Sequence, residues 1–150
     1  MDEIKELYQQ IILDHNKNPK NYGVLSSYNR SSEGYNPLCG DKIQIYLNVE
    51  NGNIKKISFE ASGCAISKAS ASVMTEMLAG KSITEAKDLF KKFQKIVTTD
   101  SSAEIDFSKS GKLAVFAGVR DFPTRIKCAV LGWHTLIAAI EQKEEPVTTE

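Results

Sequence analysis

Three cysteines and one aspartate carry the chemistry that this sequence could perform. Cys39 and Asp41 flank Gly40 in Pro37-Leu38-Cys39-Gly40-Asp41, where the glycine lets the backbone turn so that a thiolate and a carboxylate converge on one cation. Cys64 follows Gly63 where an alternating segment gives way to a helical one, and Cys128 falls in the first turns of the last helical segment. Helix N-termini carry partial positive charge and free amides. Both thiols are therefore expected to ionise more easily than a free cysteine, Cys128 with added help from Arg125 and Lys127. Thiolate is at once the metal ligand and the nucleophile. Three cysteines cannot all pair within the chain, which favours thiol chemistry over a disulfide frame. Core filling is the plain alternative, because unpaired cysteine is among the most buried residue types. Cys-x-Asp with two remote cysteines is no zinc-finger spacing, whereas glycine neighbours at element ends suit Cys39 and Cys64 to a site. Spacing alone leaves both readings open.

Other polar groups attract structural readings. His15 follows the last apolar turn of the first helical segment and His134 borders the apolar stripe of the last, so both read as packing residues. Lys91-Lys92 with Lys95 reads as a solvated helix face, since no aromatic residues are interleaved for base stacking. Lys+Arg and Asp+Glu number 19 each, giving a formal net charge of zero and no broad positive field for nucleic acid or an anionic membrane. Met1-Asp2-Glu3-Ile4-Lys5 shows no basic region followed by an apolar stretch. No apolar run approaches the ~20 residues needed to cross a bilayer, so a cytoplasmic location is expected.

The elements that must position these groups follow from periodicity. At 150 residues the chain is sized for one domain, 1–150, with a polar tail after about residue 142. Ile4, Leu7, Ile11 and Ile12 predict an amphipathic helix that stops before Asn18-Pro19. Tyr22 to Leu38 reads as a long ordered loop. Ile43, Ile45, Leu47 and Val49, then Asn51-Gly52, then Ile57, Phe59 and Ala61 predict a β-hairpin. Ile66, Ala69, Val73 and Met77 form a helical stripe ending at Gly80. A capping box at Ser82-Ile83-Thr84-Glu85 opens a further helix buried through Ile83, Ala86, Phe90, Phe93 and Val97. Thr98 to Ser110 reads as loop. Thr124 is the expected cap of a last helix faced by Ile126, Val130, Trp133, Ile137 and Ile140, with a frayed tail beyond Glu141. The expected class is α+β, a small antiparallel sheet with an N-terminal helix and C-terminal helices packed on it.

With these elements in place, the chain resembles the IscU/NifU-type iron-sulfur cluster assembly family, and within it the SufU branch. Four stretches carry the resemblance: Asp14-His15-Asn16-Lys17-Asn18-Pro19-Lys20-Asn21, Asn36-Pro37-Leu38-Cys39-Gly40-Asp41, the run from Gly63-Cys64-Ala65 to Ser72, and Gly118-Val119-Arg120 followed by Pro123 and Arg125-Ile126-Lys127-Cys128. The resemblance implies that Cys39, Asp41, Cys64 and Cys128 bind one metal ion; Cys39 is the expected catalytic persulfide acceptor, because its glycine-flanked loop can swing more cheaply than thiols fixed on helix ends. The resemblance implies Zn²⁺ as cofactor, or a [2Fe-2S] cluster in the scaffold alternative. The implied partner is a pyridoxal-phosphate cysteine desulfurase of the SufS type, with cluster assembly proteins downstream. Lys127 stands where IscU-like proteins carry a histidine, and Phe122-Pro123-Thr124-Arg125 replaces their Pro-Pro-Val-Lys motif. The longer spacer from Cys64 to Cys128 also suits the SufU branch, which resembles a zinc-dependent sulfurtransferase.

Overall fold

The computed structural model describes residues 2–105 and 107–149. The α+β class holds, but the sheet is mixed, because a parallel strand joins it from the C-terminal tail. The sheet order is β3-β2-β1-β4, from β1 (Arg30–Asn36), β2 (Asp41–Glu50), β3 (Asn53–Ser62) and β4 (Val147–Thr148). The expected hairpin is β2–β3: Asn51 and Gly52 both take positive φ, and Ile45 pairs with Phe59 and Leu47 with Ile57 on the buried face.

Within the stretch expected as loop, β1 pairs antiparallel with β2 from Arg30↔Leu47 to Asn36↔Asp41. Its sequence Arg-Ser-Ser-Glu-Gly-Tyr-Asn shows no apolar alternation because helix and strand meet there through backbone. A Cβ on Gly34 would lie 2.1 Å from Thr135 Oγ1 and 3.1 Å from Leu131 Cδ1, both on the last helix, α5 (Pro123–Ile140). That close approach seats α5 on the strand leading to Cys39.

The remaining helices are α1 (Asp2–Lys17), α2 (Ala65–Leu78), α3 (Ile83–Thr98) and the single turn α4 (Phe107–Ser110). In α1 the buried side is Tyr8, Ile11, Ile12 and His15, while Leu7 is 55% exposed; the Ile4 side chain lies outside the described residues. The capping box of α3 forms as expected, Ser82 Oγ accepting from the Glu85 amide at 3.0 Å and Glu85 Oε1 from the Ser82 amide at 3.2 Å. The last helix begins at Pro123 with Phe122 as N-cap and no side-chain cap, so Thr124 is not the cap; the fixed φ of proline suits the first helical position. Beyond the polar stretch, a 3₁₀ segment (Gly111–Asp121) buries Leu113, Val115 and Phe116 and packs on α1, α3 and α5. Phe93 of α3 stacks on Trp133 of α5 with centroids 4.9 Å apart and meets Phe116 edge-on at 5.8 Å. Among the described residues, no helix is long and apolar enough to cross a membrane.

Candidate metal centre

The hairpin between β1 and β2 closes through the turn Pro37–Gly40, which leaves Cys39 exposed and sets Asp41 at the buried first position of β2. Gly40 takes φ +70°, as the turn requires. From the other side of the sheet, β3 ends at Ser62, and Gly63 delivers Cys64 to the N-cap of α2. Gly63 has φ +120°, and a Cβ there would lie 2.2 Å from Asp41 Oδ1 and 2.7 Å from Asp41 Cα. The glycine therefore makes room for the carboxylate, which accepts the Cys64 amide at 2.7 Å on Oδ1. Cys128 reaches the same point from the sixth position of α5, almost fully buried.

Cys39, Asp41 and Cys128 converge, while Cys64 falls outside that group and borders it. Donor atoms of Cys39, Asp41 and Cys128 all lie within 4.8 Å of one another, close enough to hold a metal ion. Cys128 Sγ is 3.2 Å from Cys39 Sγ, and Cys64 Sγ joins from its own side at 3.7 Å from Asp41 Oδ2. A residue to which the sequence reading gave no role completes the group. Asn36, fully buried at the end of β1, directs Nδ2 to Asp41 Oδ2 and to Cys128 Sγ, both at 3.2 Å. Asn36 carries no signal of its own, because an amide is an ordinary turn residue until the fold puts it beside the carboxylate, and Gly63, legible in sequence as the neighbour of Cys64 at an element end, gives no sign there that it makes room for Asp41.

The thiols differ from expectation in their ionisation. Burial pushes the Cys64 thiol up, outweighing the nearby Ser67 and Ile66 amides that favour thiolate. Burial pushes Cys128 up much further, reinforced by Cys39, Asp41 and Cys64 around it. The helix-end argument fails for Cys128 because its sulfur lies past the first turn of α5, where the dipole has faded. Of the cationic neighbours, Arg125 is turned elsewhere: it is exposed and lies over the Phe122 ring at 5.0 Å. The Asp41 carboxylate is 1% exposed, yet no lysine or arginine among the described residues pairs with it. A cation held among these groups would reverse the thiol shifts.

The histidines stand apart. Buried His15 sits with Nδ1 2.7 Å from Ser72 Oγ, which also accepts the Lys20 amide at 2.7 Å, and burial lowers its pKa. Burial likewise lowers His134, which meets Phe90 edge-on. Lys91, Lys92 and Lys95 are exposed on α3.

Fold and site together define an α+β protein with a thiol–carboxylate cluster compact enough to grip one metal ion. Residues 7–129 match the NifU-like N-terminal domain, and the chain belongs to that family of iron-sulfur cluster assembly proteins. It is 39% identical over 139 residues to the zinc-dependent sulfurtransferase SufU of Bacillus subtilis, covering 92% of each chain. It is 34% identical over 142 residues to the iron-sulfur cluster assembly scaffold protein IscU of Thermotoga maritima, covering 95% of this chain and 98% of that one. Among solved structures it resembles an iron-sulfur cluster assembly scaffold protein for the SUF system from Fervidobacterium islandicum AW-1. That likeness has a TM-score of 0.78 at 34% identity and covers 87% of this chain and 94% of the other.

Proposed function

We propose that the protein is a zinc-dependent sulfurtransferase that accepts persulfide sulfur from a pyridoxal-phosphate cysteine desulfurase of the SufS type and passes it into cluster assembly. The observation that carries this reading is the asymmetry of the cluster: Asp41 and Cys128 are buried and Cys64 half-buried, while Cys39 is exposed on a turn. The donor set fits Zn²⁺, which takes Cys and Asp ligands in fours, and the unpaired buried carboxylate supplies the need for a cation. When bound, zinc would keep Cys39, Cys64 and Cys128 as thiolates at neutral pH against the burial that protonates the latter two.

The chain's own residues do the rest. Asp41, Cys64 and Cys128 would hold the metal from rigid strand and helix ends, while Cys39 can swing outward on its exposed turn without disturbing them. The Cys39 thiolate then attacks the outer sulfur of the desulfurase persulfide. A new S–S bond forms at Cys39, the old S–S bond breaks, and the desulfurase cysteine leaves as thiolate.

Desulfurase turnover with and without this protein tests the reading, read together with metal analysis of untagged protein purified without chelators. Stimulation with about one zinc per chain is the expected result. Iron and inorganic sulfide in place of zinc, with no stimulation, would make the chain a scaffold of the kind that its IscU-named relative is said to be.

A further inference from the structure

We infer that Asn36 is the positioning residue of this centre, its side-chain amide tying Asp41 to Cys128 and so making Cys39 the ligand that can leave. The inference rests on the metal site proposed above. Asn36 Nδ2 lies 3.2 Å from Asp41 Oδ2 and 3.2 Å from Cys128 Sγ. A carboxylate and a thiolate only accept, so the nitrogen must face them and the carbonyl must face away. Its two N–H groups thus serve two different ligands. The backbone of the same residue accepts the Cys39 amide at 3.3 Å, which opens the turn, and stands opposite Asp41 in the β1–β2 ladder.

A second, independent observation supports the assignment. Asn36 is fully buried, and its Oδ1 has no hydrogen-bond partner among the described residues. Burying an unpaired carbonyl is unfavourable, and an apolar side chain would escape the loss. An amide is tolerated there for what its nitrogen does. Hydrogen bonds to groups that hold a metal fix their orientation and strengthen the site.

The division of labour among ligands follows. Asp41 is held by Asn36 and by the Cys64 amide, and Cys128 is held by Asn36 inside the core. Cys39 is exposed, and its side-chain hydrogen bond among the described residues is with Cys128. Of the ligands proposed, it is the one with the fewest ties to the protein.

The unmodified chain can be tested directly by loading it with NMR-active cadmium. A through-hydrogen-bond correlation between the metal and an Asn36 side-chain amide proton is expected. Its absence, with the Asn36 amide signals unmoved by metal, overturns the inference. Two variants complete the test: Asn36→Leu keeps the volume, Asn36→Ala removes it, and both lose the donors. Each is expected to bind zinc about 10- to 100-fold more weakly and to move the sulfur-to-cobalt charge-transfer band of the cobalt-loaded protein. Alkylation of the zinc-loaded protein, confined to Cys39 in the parent chain, is expected to spread to Cys128. A folded variant with parental zinc affinity, cobalt band and alkylation pattern overturns the inference, and if neither variant folds, the cadmium measurement decides. A parent chain that takes up none of these metals sinks the metal site as well, whereas metal binding indifferent to Asn36 sinks this inference alone.

Discussion

Gly63→Ala isolates what the seat of Asp41 contributes. The new methyl carbon would start 2.2 Å from Asp41 Oδ1 and 2.7 Å from Asp41 Cα, and the second of these is backbone that cannot step aside. Backbone at φ +120° adds strain of about 1–3 kcal/mol for a residue with a Cβ. Relief requires the carboxylate to swing away and surrender the 2.7 Å hydrogen bond from the Cys64 amide, a loss of about 1.5–3 kcal/mol for a charged acceptor. The two terms fall on different measurements. Strain lowers the melting temperature of the metal-free protein by several degrees. The displaced carboxylate weakens zinc binding by about 10- to 100-fold, at about 1.4 kcal/mol per tenfold. Gly40→Ala is the matched control, for it also takes positive φ but its Cβ would meet nothing within 4 Å. It is expected to melt lower while keeping zinc within a few-fold of the parent. Zinc competition against a chromophoric chelator, alongside thermal melts of the metal-free proteins, reads both terms. A folded Gly63→Ala that holds zinc as tightly as the parent would refute the reasoning.

Three further outcomes are expected. Cys39→Ala abolishes stimulation of the desulfurase, whereas Asp41→Ala keeps all three thiols and binds zinc more weakly; mass spectrometry after desulfurase turnover finds the extra sulfur on the Cys39 peptide, and its appearance on Cys128 with Cys39→Ala still active would reverse the roles. Chelation of zinc lowers the melting temperature, because the site joins residues far apart in sequence and metal binding is therefore coupled to folding; identical melts with and without chelator contradict this. His15 is buried with its pKa below 6.5, so the unfolded chain takes up the proton first. Its contribution to stability is complete above pH 6.5 and declines as pH falls toward the folded pKa. In urea titrations, His15→Gln is expected to flatten part of the stability loss below pH 6.5, and a parallel pH profile for the two proteins would argue against a buried neutral imidazole.

Where side chains alternate strictly or a turn demands particular residues, the architecture was legible from sequence. Ile43 to Val49 with Asn51-Gly52 foretold β2–β3, and Ser82 with Glu85 foretold the start of α3. The approach of Cys39 to Asp41 followed from one glycine between them. Strand β1 was missed because α5 presses on its backbone at Gly34, a burial that leaves no apolar pattern to read. The buried side of α1 was misplaced because Leu7 is exposed while Tyr8 and His15 face inward, so polar tips masked the true stripe. Thiol ionisation was misjudged because depth in the core, which local sequence does not encode, outweighs the helix dipole. The contacts of Asn36 with Cys128, 92 residues away, and of Gly63 with Asp41 arise only once the strands and the last helix are assembled, at distances that no local window spans.

The short strand β4 has a practical side. Its parallel pairing covers Gly34 and Tyr35 on the outer edge of β1, and the Thr149 amide adds a bond to the Tyr35 carbonyl at 3.1 Å. An uncovered edge is a template on which other chains can add. The shield is only two residues long and lies along the strand that leads into the ligand turn, so a change that loosens Val147 or Thr148 would uncover the sheet edge next to Asn36.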